Sequence, residues 1–348
     1  MRYLIVAAKT GGHVFPAATI SSELISNNNE IILLGTGNDI EKNAYKNLDS
    51  KFYKLSIEGF RGGSVLHKLK VIYQAFKNIF IVIKIVKKNK IDAMIGFGGF
   101  ITVPAGIACW IKKIPVFIHE QNSVMGSANK LLSNIAKKTF LGFPIKKLEK
   151  SIISGNPIRK SFLINLETVN NNDRDEIRIY VTGGSQGAEF INQEIPKAIN
   201  KLSGKLKIKH QCGQGNQEEV AKLYNSFSIN AEVLDFYENP ASQILWSDFV
   251  ICRAGALSLS ETISCRRGGI IVPLPTSIDN HQVENAKCIQ KMKMGVLHEE
   301  KDGRNDLIDK LKKVIERKLF SDWKKFNVND HVNASKIILE HLESYFKT

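Results

Sequence analysis

The sequence predicts two doubly wound α/β domains, each a parallel sheet flanked by helices. Three observations carry that prediction. Two continuous apolar runs, Tyr3–Ala8 and Ile177–Thr182, each lead through a glycine turn into a helical pattern. Runs that are apolar at every position suit strands buried on both faces, as in parallel sheets. At 348 residues the chain also exceeds the usual capacity of one core, which favours two domains.

In the first half, the turn Lys9-Thr10-Gly11-Gly12-His13 precedes a helical pattern from Pro16 through Ile25. Further strands are expected near Ile31–Leu34, Ala93–Phe97, Val116–His119 and Thr139–Leu141. The second half repeats the opening with Gly183-Gly184-Ser185-Gln186-Gly187 and a helix through Ile199. Its further strands are expected near Ala231–Leu234, Phe249–Cys252, Gly269–Val272 and Val296–His298. Asn156-Pro157 marks a boundary turn, and the polar stretch Leu166–Glu176 reads as a loop. The expected domains are 1–158 and 159–333, with a last helix within 334–348 packing back on the first. The two domains are expected to face each other across a cleft.

Composition bounds the function. The chain is 43% hydrophobic and 24% charged, ordinary for a globular protein, but its formal net charge is +15 and its pI about 9.4. Such a surface attracts phosphates, nucleic acid or an anionic membrane leaflet. The asparagine runs and abundant Lys and Ile also fit a host genome biased toward those codons. The five cysteines are scattered and never spaced as CxxC, which argues against a disulfide framework or a structural zinc site. The opening Met1–Ala8 is too short an apolar run for a signal peptide, and no stretch reaches the ~18 apolar residues of a transmembrane helix. A cytosolic protein with, at most, peripheral membrane contact is expected.

A glycine turn between strand and helix presents backbone N–H groups to phosphate oxygens, so two such turns point to phosphate-bearing ligands. The alternative is that the glycines only permit tight turns. Gly35–Gly37, Gly96–Gly98 and Gly213–Gly215 each match GxG without the third glycine of a dinucleotide fingerprint, which disfavours NAD. The P-loop ending is absent. His119-Glu120-Gln121-Asn122 lacks the second histidine of a zinc-protease helix. Asp173-Arg174-Asp175 matches the Asp-x-Asp of metal-using glycosyltransferases but sits in the polar loop, where a solvated charge run is expected.

Taken in order, the motifs resemble the MurG family. They are Thr10-Gly11-Gly12-His13-Val14-Phe15-Pro16-Ala17, Gly96-Phe97-Gly98-Gly99-Phe100, His119-Glu120-Gln121-Asn122 and Gly155-Asn156-Pro157-Ile158-Arg159 in the first half. The second half supplies Gly183-Gly184-Ser185-Gln186-Gly187-Ala188, Cys252-Arg253-Ala254-Gly255-Ala256-Leu257-Ser258, Glu261 and Asp279-Asn280-His281-Gln282. The resemblance implies a GT-B fold and an inverting, metal-independent transfer of N-acetylglucosamine. The donor would be UDP-GlcNAc. The acceptor would be undecaprenyl-pyrophosphoryl-N-acetylmuramyl-pentapeptide, lipid I, and the product lipid II, with no cofactor.

Carried over residue by residue, Ala256, Leu257 and Ser258, continuing into Leu259 and Ser260, would line the nucleotide, and Glu261 would accept from the ribose hydroxyls. Ser185 and Arg159 would contact the diphosphate, while Gln282 and Asn122 would recognise the sugar. Tyr237 would contact uracil through its backbone. Lys9, Thr10, Gly11 and Gly12 would receive the acceptor pyrophosphate, and Thr10, Gly11 and Gly12 would also contact the UDP-GlcNAc. There Ala7, Ala8 and Lys9 stand where the family commonly has glycines. His13 is the first candidate for the general base that takes the acceptor's hydroxyl proton, and Glu120 the second.

From Arg61 to Lys90 there are eight Lys/Arg and no acidic residue, interleaved with apolar side chains. That pattern suits docking on an anionic cytoplasmic leaflet, the inner-membrane face. The alternative is a core-packing helix with a lysine face. It offers few aromatic stacking platforms, which disfavours nucleic acid. The rival functions are a diacylglycerol glycosyltransferase, a UDP-GlcNAc 2-epimerase, or a non-enzymatic scaffold for wall-synthesis or division proteins.

Overall fold

The computed structural model describes the chain apart from residues 9, 58–63, 146–147, 164–174, 327–328 and 348. It divides into one unit of Met1–Lys160 with Asp330–Thr348 and a second of Ser161–Asn329.

The first unit holds β1 (Arg2–Val6), α1 (Gly11–Ser26), β2 (Glu30–Gly35), α2 (Asp39–Tyr45), β3 (Lys51–Lys54), α3 (Val65–Lys88) and β4 (Ala93–Gly96). α4 (Thr102–Ile111), β5 (Val116–Glu120), α5 (Ser127–Leu132), β6 (Lys138–Leu141) and β7 (Ser151–Ile153) follow. Its sheet has the order β3-β2-β1-β4-β5-β6-β7, and each pairing is parallel.

The second unit runs β8 (Ile177–Thr182), α6 (Glu189–Ile199), β9 (Leu206–Gln211), α7 (Gln217–Ser226), β10 (Ala231–Leu234), α8 (Pro240–Trp246) and β11 (Phe249–Cys252). It continues with α9 (Ala256–Ser264), β12 (Gly269–Ile271), α10 (His281–Lys291), β13 (Gly295–Leu297), α11 (Gly303–Glu316) and α12 (Leu319–Lys325). The order is β10-β9-β8-β11-β12-β13, again parallel. Both sheets reverse direction of winding beside their first strand. That is the nucleotide-binding arrangement, in which ligands sit outside the carboxyl ends of the strands at the reversal.

Two-sided burial explains the apolar strands of the first unit. Leu4 and Val6 of β1 join one core with Val82 and Val86 of α3. Tyr3 and Ile5, pointing the other way, join Ile20 and Leu24 of α1. The same second core takes Ile338 and Leu342 of the last helix, α13 (Asn329–Lys347). Burial of such a side chain contributes roughly 1.5–3 kcal/mol, enough to hold the returning helix on its sheet.

Three strands escape the apolar-run criterion. β3 (Lys-Phe-Tyr-Lys) and the three-residue β7 are the sheet edges, where among the described residues one flank has no neighbouring strand. β9 lies inside its sheet yet reads Leu-Lys-Ile-Lys-His-Gln. Its buried polar side chains, His210 and Gln211, each have hydrogen-bonding partners, while Lys207 is exposed.

Candidate functional site

In the second unit an open cavity of about 1110 Å3 lies where β8 and β11 end, the point at which the strand order reverses. Its floor is the turn Gly183–Ala188, and its far side is Arg253, Gly255 and Ser258. Two helices, α6 and α9, start at this cavity, and neither N-terminus carries a side-chain cap. Their first-turn N–H groups and dipoles therefore favour an anion there. The turn has little freedom of sequence. Gly187 has φ +74°, and a Cβ on it would collide with the carbonyl oxygen of Cys212.

Several acidic side chains also line the cavity, but the chain neutralises most of their charge. Glu300 pairs with Arg253 at 2.6 Å, and Glu194 pairs with Arg304 at 2.6 Å and Lys197 at 3.1 Å. The Arg304 guanidinium holds the Glu194 carboxyl below the usual carboxylate range. Arg253 also donates to the carbonyls of Val272 and Pro273, which fixes it at the cavity wall.

Of the sequence-designated donor residues, Ser185, Ser258 and Gln282 line this cavity. The Gln282 Oε1 accepts from the amides of Ala254 and Leu274, so its own NH2 group is turned elsewhere. Ala256 and Leu257 open α9 beside the cavity wall, and Glu261 lies buried a turn further on. Leu259 and Ser260 are buried and do not line the cavity, and the Ser260 hydroxyl donates to the Ala256 carbonyl. Tyr237 is buried, and its backbone N–H already donates to Gln211 Oε1 at 3.1 Å.

Behind the turn, Asn192 Nδ2 donates to the Cys212 carbonyl at 2.9 Å, which leaves Asn192 Oδ1 to accept from His210 Nε2 at 3.1 Å. His210 must then carry its proton on Nε2, and Nδ1 accepts from the Tyr224 hydroxyl at 3.1 Å. Burial keeps this imidazole neutral and pushes its pKa down to about 3.

In the first unit, His13 lies in the first turn of α1. Its Nδ1 is 3.2 Å from Thr10 Oγ1 and 3.3 Å from the Ala8 carbonyl, and its ring packs against Gly98. A carbonyl only accepts, so the bond to Ala8 places the proton on Nδ1 and leaves Nε2 as the basic atom. Thr10 occupies the N-cap position without capping, and α1 begins with Gly11 and Gly12. Like α6, this helix starts without a side-chain cap. Lys9 lies outside the described residues.

Glu120 ends β5 and is 2% exposed. Its Oε1 accepts from Asn122 N and Nδ2, each at 3.1 Å. Its Oε2 accepts from Gly126 N and Asn129 Nδ2, each at 2.9 Å. Both oxygens are filled, so the carboxylate organises residues 122–129. That geometry speaks against Glu120 as a proton acceptor, and it fixes the position of Asn122. Arg159 lies with its guanidinium carbon 5.4 Å from the centroid of the Phe15 ring.

His119 Nε2 donates to the Gly155 carbonyl at 3.1 Å, which leaves Nδ1 to accept from Gln121 Nε2 at 3.1 Å, so both ring nitrogens are engaged within the chain. Asp173 and Arg174 lie outside the described residues, while Asp175 is an exposed partner of Lys205 at 2.6 Å. His298, Asp302 and Asp306 bring ligand atoms within 4.8 Å of one another, but Lys310 already contacts both carboxylates there. Sequence reasoning overlooked Arg253 and Gln211 as site residues. Arg253 lay within a quoted motif, and Gln211 directly precedes the Cys212-Gly213 turn.

Two parallel-sheet units of this topology, one with an anion-binding turn at its sheet reversal, have the architecture of the GT-B class. Residues 3–141 match the glycosyltransferase family 28 N-terminal domain, and residues 178–338 match the family 28 C-terminal domain. A UDP-N-acetylglucosamine–N-acetylmuramyl-(pentapeptide) pyrophosphoryl-undecaprenol N-acetylglucosamine transferase of Alcanivorax borkumensis is 33% identical over 323 residues. That alignment covers 91% of this chain and 90% of the relative. The same enzyme of Acinetobacter baumannii strain AYE is 36% identical, covering 82% and 81%. The crystal structure of Acinetobacter baumannii MurG superposes with a TM-score of 0.84 at 30% identity over 99% of both chains. The chain belongs to glycosyltransferase family 28, within its MurG family.

Proposed function

We propose that this enzyme transfers N-acetylglucosamine from UDP-GlcNAc to the 4-hydroxyl of N-acetylmuramic acid in lipid I, giving lipid II for peptidoglycan synthesis. The observation that carries the reading is the family membership over more than four-fifths of the chain, together with the anion-binding cavity of the second unit.

In this reading the diphosphate lies against the 183–188 turn and the α9 N-terminus, where Ser185, Ala256 and Ser258 take up charge as UDP leaves. Glu261 takes the ribose, Gln282 and Asn122 the sugar, and Tyr237 its uracil edge. Arg159 adds a cation to the diphosphate. The α1 N-terminus at Thr10, Gly11 and Gly12 takes the acceptor pyrophosphate. His13 Nε2 takes the proton of the attacking hydroxyl, the single displacement inverting the sugar. The departing charge is met by helix N-termini and arginine, so no metal is required.

The first unit also carries a surface for the lipid substrate's membrane. Leu69, Ile72, Tyr73, Phe76 and Phe80 of α3 are all exposed, at helical spacing, while Val71, Val82 and Val86 face the core. Exposed Lys70, Lys77 and Lys84 accompany the stripe, and Trp110 and Ile111 of the neighbouring α4 are exposed as well. No described helix is long and apolar enough to cross a membrane. In this reading the stripe docks peripherally on the anionic cytoplasmic leaflet and lipid I is drawn from that surface, with wall-synthesis or division proteins as neighbours there.

The test is incubation of the full chain with radiolabelled UDP-GlcNAc and a short-chain lipid I analogue in EDTA. Label in the lipid product supports donor, acceptor and metal independence together. Turnover of UDP-GlcNAc without acceptor would instead indicate an epimerase. Donor binding without transfer would indicate another acceptor.

A further inference from the structure

Gln211 is the last residue of β9, 4% exposed, and its amide is fully used. The Nε2 group donates to the Gly184 carbonyl at 2.9 Å and to Thr182 Oγ1 at 3.3 Å. The Oε1 atom accepts the backbone N–H of Tyr237 at 3.1 Å and the Tyr180 hydroxyl at 3.4 Å. The orientation of the amide follows from its partners, since a carbonyl only accepts and a backbone N–H only donates. Thr182 Oγ1 in turn accepts from Gly184 N at 3.1 Å, so both polar atoms of that glycine's backbone are held by one small network.

We propose that Gln211 is a positioning residue that couples the turn at Gly184 to the segment at Tyr237, setting the distance between the diphosphate and the uracil of a bound nucleotide. The proposal rests on the reading that these two segments receive those two parts of the donor. Gly184 has φ +87° and a Cβ there would meet nothing within 4 Å, while its carbonyl is shared between Gln211 Nε2 and the Gly187 N–H at 3.2 Å. Tyr237 is held from its side chain too. Its hydroxyl donates to Glu232 Oε1 at 2.9 Å, and its ring meets Tyr180 edge-on at 5.9 Å. One arm of the Gln211 amide therefore acts on the diphosphate turn and the other on an already anchored base segment.

The two arms are separable by substitution. Gln211→Glu keeps an acceptor for the Tyr237 N–H but has no N–H for the Gly184 carbonyl. Gln211→Met removes both. Calorimetric titration of the full chain with uridine and with UDP reads each arm. Gln211→Glu is expected to bind uridine within twofold of the parent while losing about tenfold in UDP affinity. Gln211→Met is expected to lose affinity for both. Thermal melting of each variant checks that the fold persists, and a variant that does not melt cooperatively is replaced by Gln211→Asn, which retains the groups on a shorter stem and should weaken both ligands.

Unchanged UDP affinity in Gln211→Glu, equal losses for uridine and UDP in that variant, or parental UDP affinity in the uncharged Gln211→Met, where charge repulsion plays no part, overturns the coupling. Ser185→Glu tests the underlying reading alone, because a carboxylate in the turn repels a diphosphate and ignores a nucleoside. If it leaves the ratio of UDP to uridine affinity unchanged, the turn does not hold the diphosphate and the proposal falls with that reading.

Discussion

Asn156 donates its backbone N–H to Nδ1 of His331 at 2.8 Å, joining residues 175 positions apart. His331 is at the start of α13 and Asn156 just before the chain leaves the first unit, so the bond clips together the outgoing and returning strands of chain. Close by, His119 Nε2 lies 3.1 Å from the Gly155 carbonyl. Gly155 has φ +78°, and a Cβ on it would collide with the Asp330 backbone, so only glycine lets the two passages approach this closely.

These histidines make stability depend on pH. Burial lowers the pKa of His331 to about 3, with nearby His119 adding to the shift. Burial lowers His119 to about 4 and His210 to about 3. An unfolded histidine takes its proton near pH ~6.5, whereas these native ones stay neutral, so the unfolded state binds more protons as pH falls below that. Stability is thus full above pH ~6.5 and is lost from there down to about 4 for His119 and about 3 for His210 and His331, at about 1.4 kcal/mol per pH unit for each histidine. Urea unfolding at pH 7.5, 6 and 5 should show the fall. His331→Gln keeps an acceptor for Asn156 but does not titrate, so its slope should be shallower by one proton. Parallel slopes for parent and variant would show that His331 already titrates normally in the native state.

His13→Ala should lower kcat by roughly 10²–10⁴-fold, the usual worth of a positioned general base, while the KM for donor changes little. Steady-state transfer at saturating substrates measures it. Near-normal turnover would move the proton to another group.

Glu120→Gln separates a structural anion from a base. The substitution turns an NH2 group toward donors now held by a carboxylate, and should cost about 2–3 kcal/mol of stability. Residual activity is expected to keep the parental acid limb in its pH–rate profile. Loss of that limb in a stably folded variant would return Glu120 to the role of base.

Phe76→Asp together with Phe80→Asp should abolish flotation with anionic vesicles and leave transfer to a water-soluble acceptor intact, since both side chains point to solvent from α3. Each lysine near an anionic surface contributes about 1 kcal/mol, so parental binding should weaken as salt rises. Equal binding of the parent to neutral and anionic vesicles would remove the electrostatic contribution.

Much of the fold is legible in the residues because parallel strands buried on both faces must be apolar throughout. Tyr3–Val6, Ala93–Gly96 and Phe249–Cys252 announce themselves in this way. β9 does not. Its Lys209, His210 and Gln211 violate the pattern because they serve Gln243, Asn192 and the turn at Gly184. A buried polar strand is paid for by partners distant in sequence, and no local rule reveals them.

What the sequence determined by itself was the two-unit α/β architecture, the glycine turns at both sheet reversals and the family to which their motifs point. Periodicity and backbone sterics act within a few residues, so these are written locally. Only the tertiary structure decided that the Glu120 carboxylate is filled by four donors, that the Tyr237 amide belongs to Gln211, and that five apolar side chains of α3 face solvent while others of the same helix enter the core. A hydrogen bond or a buried face is a property of two segments brought together. Which two meet depends on the winding of the whole sheet, and the order of residues along one strand does not contain it.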